Sequence, residues 1–261
     1  RPLSKIICPF FENDANYEEL SKLHGQLKTT YDQIISSIKK RYLGTYYRVA
    51  FYGNSFKEDH YCQFIYKEPK LSQLGEVIER FRNIYEPHCV DLSIINESNK
   101  VKYGELDQNK DYIQINAVKQ IFKITSNQES SFLSHNNVGE FVLETPFTKS
   151  GKAHGSVSDQ CKRITTFTTS KCFPDIKRRI PIIKSQVYEM TPIEVAIDEM
   201  KTQVKDLTFL VNLKPPDMIG LQLKLQGSVC VTVNAGPLAY ANTFLKRDVK
   251  NSLPAAHTVE L

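Results

Sequence analysis

The sequence predicts an α+β protein with helices toward its two ends and antiparallel strands through its middle. Three observations lead there. Apolar residues recur every three or four positions from Tyr17 to Tyr42, β-branched and aromatic residues dominate short segments between Thr45 and Glu189, and a helical period returns at Thr191. Seven or so strand-like segments interrupted by one helical pattern fit an antiparallel sheet better than alternating βαβ units.

The elements follow in order. Leu20, Leu23, Leu27, Tyr31, Ile34/Ile35 and Ile38 stack on one face of a first helix, with Asp14 or Asn16 available to cap it. TYYRVAFY (45–52) and YCQFIY (61–66) read as strands separated by the polar loop NSFKEDH. LSQLGEVIERFRNIYE (71–86) reads as an amphipathic helix with Ser72 as cap and Leu74, Val77, Ile78, Phe81 and Ile84 inward. VDLSII, DYIQINAV, EFVLET, KRITTFTT and IPIIKSQVYE are further strands, and TSNQESSFLSHNN (125–137) is an exposed loop. Thr191-Pro192-Ile193-Glu194 then sets a capping Thr, Pro at the first helical position and Glu three residues after the cap. The stripe Ile193, Ala196/Ile197, Met200, Val204 and Leu207 continues that helix. Past Lys214-Pro215-Pro216-Asp217, the alternation of Leu221, Leu223, Leu225, Val229, Val231 and Val233 by itself predicts a strand over 221–233.

The chain of 261 residues, 41% hydrophobic and 24% charged, is long enough to bury a core and ordinary enough to be globular. No apolar run approaches the roughly 18 residues of a membrane span. The acid-rich N-terminus is no signal peptide, so a cytoplasmic address is expected. Cys8, Cys62, Cys89, Cys161, Cys172 and Cys230 form no CxxC pair and read as free thiols. Between Thr145 and Met190, nine basic residues face three acidic ones. That region suits nucleic acid, anionic lipid or an acidic protein surface, or else is a set of solvated hairpin faces.

Motifs for covalent chemistry are missing. The six histidines lack metal-ligand spacing, and adjacent carboxylates such as Glu18/Glu19 and Asp198/Glu199 do not converge. Gly151-Lys152-Ala153-His154-Gly155-Ser156 lacks the Gly-Lys-Ser/Thr ending of a phosphate loop and reads as a hairpin turn. No metal or cofactor is expected, and no nucleic-acid module accompanies the basic stretch.

Several long segments, in order, resemble one family. RYLGTYYRVAFYG (41–53), FIYKEPKLSQLGEV (64–77), YIQINAV (112–118), ETPFTKSGKAHG (144–155), QCKRITTFTTSKCFPDIKRRIP (160–181), TPIEVAIDEM (191–200) and DMIGLQLKLQGSVCVTVNAGPLAYANTFL (217–245) are similar to the exchange-factor domain of dedicator-of-cytokinesis (DOCK) proteins, nearest the zizimin branch. The resemblance implies a guanine nucleotide exchange factor, without covalent chemistry, for Rho-family GTPases of the Rac and Cdc classes. It implies residues 1–43 as the end of a helical, dimerising lobe, 44–190 as a lobe of roughly orthogonal antiparallel sheets, and 191–261 as part of a helical catalytic lobe. The chain is expected to be incomplete at both ends of that domain.

The resemblance also replaces the strand expected over 221–233 with a helix over about 217–227, a loop through Gly236 and a second helix from Pro237. Val233 becomes the nucleotide sensor with Asn234 beside it, and Gly227, Gly236 and Pro237 shape the insert; the bland alternative for Val233 is a packed valine. Leu221, Leu225 and Val229 are expected to touch the GTPase or pack in the helical lobe, and Phe147 and Thr148 to form a GTPase-facing edge or plain core. Thr191 and Pro192 mark the lobe junction. A non-catalytic GTPase-binding scaffold is the second reading. No nucleic acid is expected as a partner, and any membrane recruitment would accompany the GTPase.

Overall fold

The computed structural model describes residues 2–36, 44–97, 101, 104, 106–122, 136–151, 155–229 and 236–246. Its helices are α1 (Pro2–Asn13), α2 (Tyr17–Ser36), α3 (Leu74–Tyr85), α4 (Pro192–Asn212), α5 (Met218–Val229) and α6 (Pro237–Phe244). Its strands are β1 (Thr45–Tyr52), β2 (Gln63–Glu68), β3 (Ser93–Ile95), β4 (Tyr112–Ile121), β5 (Val138–Thr148), β6 (Gln160–Phe173) and β7 (Arg179–Met190). The protein is therefore α+β, with helical stretches at both ends of a β-rich middle. None of its described helices is long and apolar enough to cross a membrane.

The strands form one sheet in the order β1-β2-β7-β6-β5-β4-β3, and β1 also pairs with β4. β1 is thus hydrogen-bonded along both edges, antiparallel to β2 from Thr45↔Glu68 and to β4 from Tyr46↔Val118. Its side chains alternate between two covered faces. Tyr47, Val49 and Phe51 join Phe64, Ile113, Ile115, Val77 and Phe81 in one core cluster. Tyr46 packs on the rings of Phe141 and Phe173, with centroids 5.0 and 5.4 Å away. A strand covered on both faces carries apolar residues at nearly every position, as TYYRVAFY does.

Contacts divide the chain into two units. One comprises 1–94, 111–141 and 168–183; the other comprises 95–110, 142–167 and 184–261. In the first unit, α1 and α2 pack on each other, and Asn16 Oδ1 accepts the Glu19 N–H at 3.3 Å to cap α2. α1 was not anticipated, because PLSKIICPFFEN has Pro9 inside it and no capping signal before it. The expected stretch of α2 beyond Ser36 lies outside the described residues, as does nearly all of the 125–137 loop.

Three expectations shift. β2 begins at Gln63 rather than Tyr61, because Tyr61 sits at φ 62, outside extended geometry. α3 is capped at Gln73 rather than Ser72, with the Glu76 carboxylate accepting the Gln73 N–H at 3.1 Å. Ser72 instead supplies its carbonyl to the Tyr47 hydroxyl. Ile84 is 51% exposed, and Tyr85 takes the inward place, stacking on Phe81 at 5.9 Å. The polar segment NSFKEDH also contains a core residue, since its short 3-10 turn inserts Phe56 against Phe51 at 5.1 Å.

Phe51 lies at the centre of this unit, in ring contact with Phe56, Phe64, Phe81 and Tyr85. Phe51→Ala is expected to cost about 3–5 kcal/mol of stability, whereas Leu71→Ala, at an exposed position, stays within about 0.5 kcal/mol of the parent. Denaturant midpoints of the two variants check this.

Candidate functional site

The site is built where β7 passes into α4 in the second unit. Met190 ends the strand and Pro192 begins the helix, leaving only Thr191 between them. Glu194 Oε2 accepts both the Thr191 N–H and the Thr191 hydroxyl at 2.7 Å, so the cap is closed by the side chain that the sequence placed three residues later. The Tyr188 hydroxyl donates to the other oxygen of the same carboxylate. Pro192 is buried and Thr191 exposed.

The first two turns of α4 carry the core of this unit. Ile193, Ala196 and Ile197 pack with Val157, Tyr240 and Phe244, and Met200 and Ala239 border the cluster. Val157 belongs to a short 3-10 turn (157–159) just before β6, and Tyr240 and Phe244 lie one turn apart on α6. The Tyr240 hydroxyl donates to Glu199, and burial together with that bond holds its pKa well above the usual tyrosine value. The stripe predicted for α4 is interrupted at Val204, which is 63% exposed, while Leu207 is half-buried like Met200; Phe209 and Val211 also face solvent.

α5 corrects the strand that alternation predicts over 221–233. Leu, Gln and Lys favour helix, and Asp217 caps it: Oδ1 accepts the Gly220 N–H and the carbonyl accepts the Leu221 N–H, both at 2.9 Å. The absence of a side chain at Gly220 allows close approach to α4, since a Cβ there would stand 3.2 Å from Leu210 Cδ2 and 2.5 Å from Asp217 Oδ2. Lys224 Nζ reaches Asp206 Oδ2 at 2.6 Å, an exposed pair worth about 0.2–1 kcal/mol. Leu221 is half-buried, while Leu225, Leu223, Met218 and Ile219 are exposed.

The helix runs to Val229, two residues past the expected end, so Gly227 lies inside it rather than at the departure. The chain returns at Gly236, buried at φ 91, a left-handed conformation that suits glycine, and Pro237 opens α6. Val233 and Asn234 lie between these helices and outside the described residues. The side chain of Val229 is likewise not described.

Phe147 and Thr148 end β5 and are half-buried, neither plain core nor free surface. The Arg163 guanidinium lies 5.1 Å from the Phe147 ring centroid, and Arg163 Nε donates to Glu189 at 2.8 Å. The following turn is stapled by Asp159, which accepts the Ser150 N–H at 3.1 Å and the Ser150 hydroxyl. Lys152, Ala153 and His154, at the heart of the expected Gly151–Ser156 turn, lie outside the described residues.

The sequence reading brought Thr191, Pro192, Gly236, Pro237 and Leu221 into one unit but missed Val157, Glu199, Tyr240 and Phe244, which secure α6. The four-residue spacing of Tyr240 and Phe244 was a readable signal. No group of acid, His and Cys side chains suited to a metal occurs among the described residues. Cys8, Cys62, Cys89, Cys161 and Cys172 are free thiols. Burial pushes Cys161 up and, with Asp111 beside it, raises Cys89 to about 11, which keeps both protonated near neutrality.

The described residues thus form an α+β fold with a β-rich middle, followed by α4, α5 and α6. The family models for DHR-2, Lobe B and DHR-2, Lobe C match residues 98–172 and 206–261, together half of the chain. The chain is 42% identical over 250 residues to dedicator of cytokinesis protein 11 of Danio rerio, covering 93% of this chain and 12% of the relative. It is 39% identical over 262 residues to protein 9 of Homo sapiens (92% and 13%) and 38% identical over 247 residues to protein 7 of Mus musculus (92% and 12%). The chain belongs to the DHR-2 domain family of the dedicator-of-cytokinesis proteins. It spans about an eighth of the length of the curated relatives it matches.

Phe244→Ala removes the anchor of α6 and is expected to raise amide hydrogen exchange across 237–244 while leaving β1 protected. Exchange rising equally in β1 would show that Phe244 supports the whole chain rather than α6. Thr191→Ala is expected to cost about 1 kcal/mol through loss of the cap.

Proposed function

We propose that this chain promotes GDP release from a small GTPase of the Rho family, of the Rac or Cdc class, with Val233 as the side chain that acts on the nucleotide site. The observation that carries the reading is the interruption between α5 and α6. α5 is described to Val229 and α6 begins at Pro237 after the left-handed Gly236, so residues 230–235 fall between the two helices in the sequence, and α6 is secured by Tyr240 and Phe244. The exposed apolar side chains of α5, Ile219, Leu223 and Leu225 among them, support a role in partner contact. So does the half-buried Phe147 beneath Arg163.

The mechanism is a coupling of two binding events. A GTPase that holds GDP at picomolar affinity binds it by about 16 kcal/mol, part of which comes from a Mg²⁺ ion screening the phosphates. An apolar side chain in the place of that ion neither coordinates nor screens, so nucleotide binding weakens. Each 1.4 kcal/mol lost is tenfold in affinity, and by linkage the nucleotide weakens the exchange factor to the same degree. Catalysis of this kind needs no nucleophile or general base. Asn234 would help hold Val233 in place, Leu221, Leu225 and Val229 would line the helical side, and Phe147 and Thr148 the sheet side.

In this reading 1–43 is the end of a helical lobe, 44–190 a sheet lobe and 191–261 part of the catalytic lobe. The exposed Leu3, Ile6 and Phe10 on α1 support self-association through the first. The expected setting is cytoplasmic, with membrane recruitment alongside the GTPase.

Release of a fluorescent GDP analogue from purified Rac-class and Cdc-class GTPases tests the proposal. The chain is expected to accelerate release from at least one class, and Val233→Ala to lower that acceleration by about tenfold or more, equivalent to 1.4 kcal/mol, with binding to nucleotide-free GTPase retained. Acceleration indifferent to the substitution would remove Val233 from the role. Binding without acceleration by the parent would leave the scaffold reading.

A further inference from the structure

A cationic concave surface of the first unit lies at one end of β2, away from any residue assigned a role above. A depression of about 250 Å³ is bordered by Lys67 and Lys70 from the end of β2 and the loop beyond it, and by Lys177 and Arg178 from the β6–β7 turn. The Lys67 N–H donates to the Arg178 carbonyl at 2.9 Å, and the Thr45 hydroxyl donates to the Lys70 carbonyl at 2.9 Å, so both walls are held by hydrogen bonds to backbone carbonyls. The two acids of the depression are occupied. Glu68 is buried and accepts two bonds from Arg80, each 2.6 Å, and Asp175 turns back to the Lys177 N–H at 2.8 Å. Among the described residues no ion pair engages Lys67, Lys70, Lys177 or Arg178. The same two loops carry the most exposed large apolar side chains of the chain's described residues, Leu71 at 88% and Ile176 at 94%.

We propose that this face docks on an anionic phospholipid bilayer, with a lipid phosphate in the depression and Leu71 and Ile176 inserted among the acyl chains. Cations ringed around protruding aliphatic tips match a surface that is anionic at its headgroups and hydrocarbon beneath. Nucleic acid would satisfy the cations but offers the two aliphatic tips no apolar layer. A stable protein interface would be expected to offer an apolar patch at its centre, whereas here the apolar atoms are single tips on two loops. The proposal does not depend on the exchange activity.

The sequence contains no tryptophan, so Ile176→Trp provides a single reporter. Mixed with vesicles of phosphatidylcholine and phosphatidylserine at low salt, this variant is expected to show blue-shifted emission that lipid-borne quenchers extinguish; phosphatidylcholine alone leaves it unchanged. In co-sedimentation with the same mixed vesicles, Lys70→Glu/Lys177→Glu loses affinity by at least about tenfold. Lys28→Glu/Lys205→Glu, equal in net charge, loses less than about threefold. Leu71→Ser/Ile176→Ser weakens binding with its thermal melting unchanged. The proposal is overturned if the parent ignores anionic vesicles, if the two charge-reversed pairs lose affinity equally, or if the reporter stays in water on a bound chain. Undiminished binding of the serine variant would also overturn it, reducing the patch to plain anion attraction.

Discussion

The arrangement of the helical end depends on one small apolar cluster. Ile193, Ala196 and Ile197 of α4 pack with Val157 of the 3-10 turn and with Tyr240 and Phe244 of α6. Their position follows from Thr191, because a strand that becomes a helix across one residue fixes which face of the helix turns inward. The Glu194 carboxylate closes that joint with two bonds to Thr191. Once α6 is seated, Gly236 is placed, and with it the point to which the chain must return after leaving α5. The interruption is therefore bounded on its far side by the packing of α6.

The described thiols with shifted pKa values are pushed toward the neutral form, and the tyrosines similarly affected are held protonated by burial or carboxylate partners. The described helices offer apolar surface at defined positions: Leu225 and Leu223 on α5, and Val204 and Phe209 on α4. Such groups act by excluding water and ions from wherever they are placed.

Much of the fold was legible because the local signals were redundant. β1 matches its predicted limits, since an apolar strand bounded by Gly44 and Gly53 has no other place to begin or end. The start of α4 was legible from Thr191, Pro192 and Glu194 alone. Alternation misled at Leu221, Leu223 and Leu225, because a helix apolar on several sides also places apolar residues two apart. At 100° per residue, Leu223 falls far around the helix from its neighbours, and it is exposed accordingly. The motif resemblance corrected this where periodicity could not. Phe56 in a polar segment, Tyr85 in place of Ile84 and Gln73 in place of Ser72 are all choices made by tertiary contacts, with the ring of Phe51 setting the first two. The residues that secure α6 were missed for the same reason: Tyr240 and Phe244 acquire their role only against Val157 and α4.

The central claim is that the segment between α5 and α6 competes with the metal of the GTPase's bound nucleotide. The most direct measurement is the affinity of this chain for GDP-loaded GTPase titrated with Mg²⁺, for the parent and for Val233→Ala. Competition predicts that added Mg²⁺ weakens binding of the parent and leaves the variant nearly unaffected. Equal Mg²⁺ dependence in the two proteins would contradict the claim, placing the coupling elsewhere on the interface.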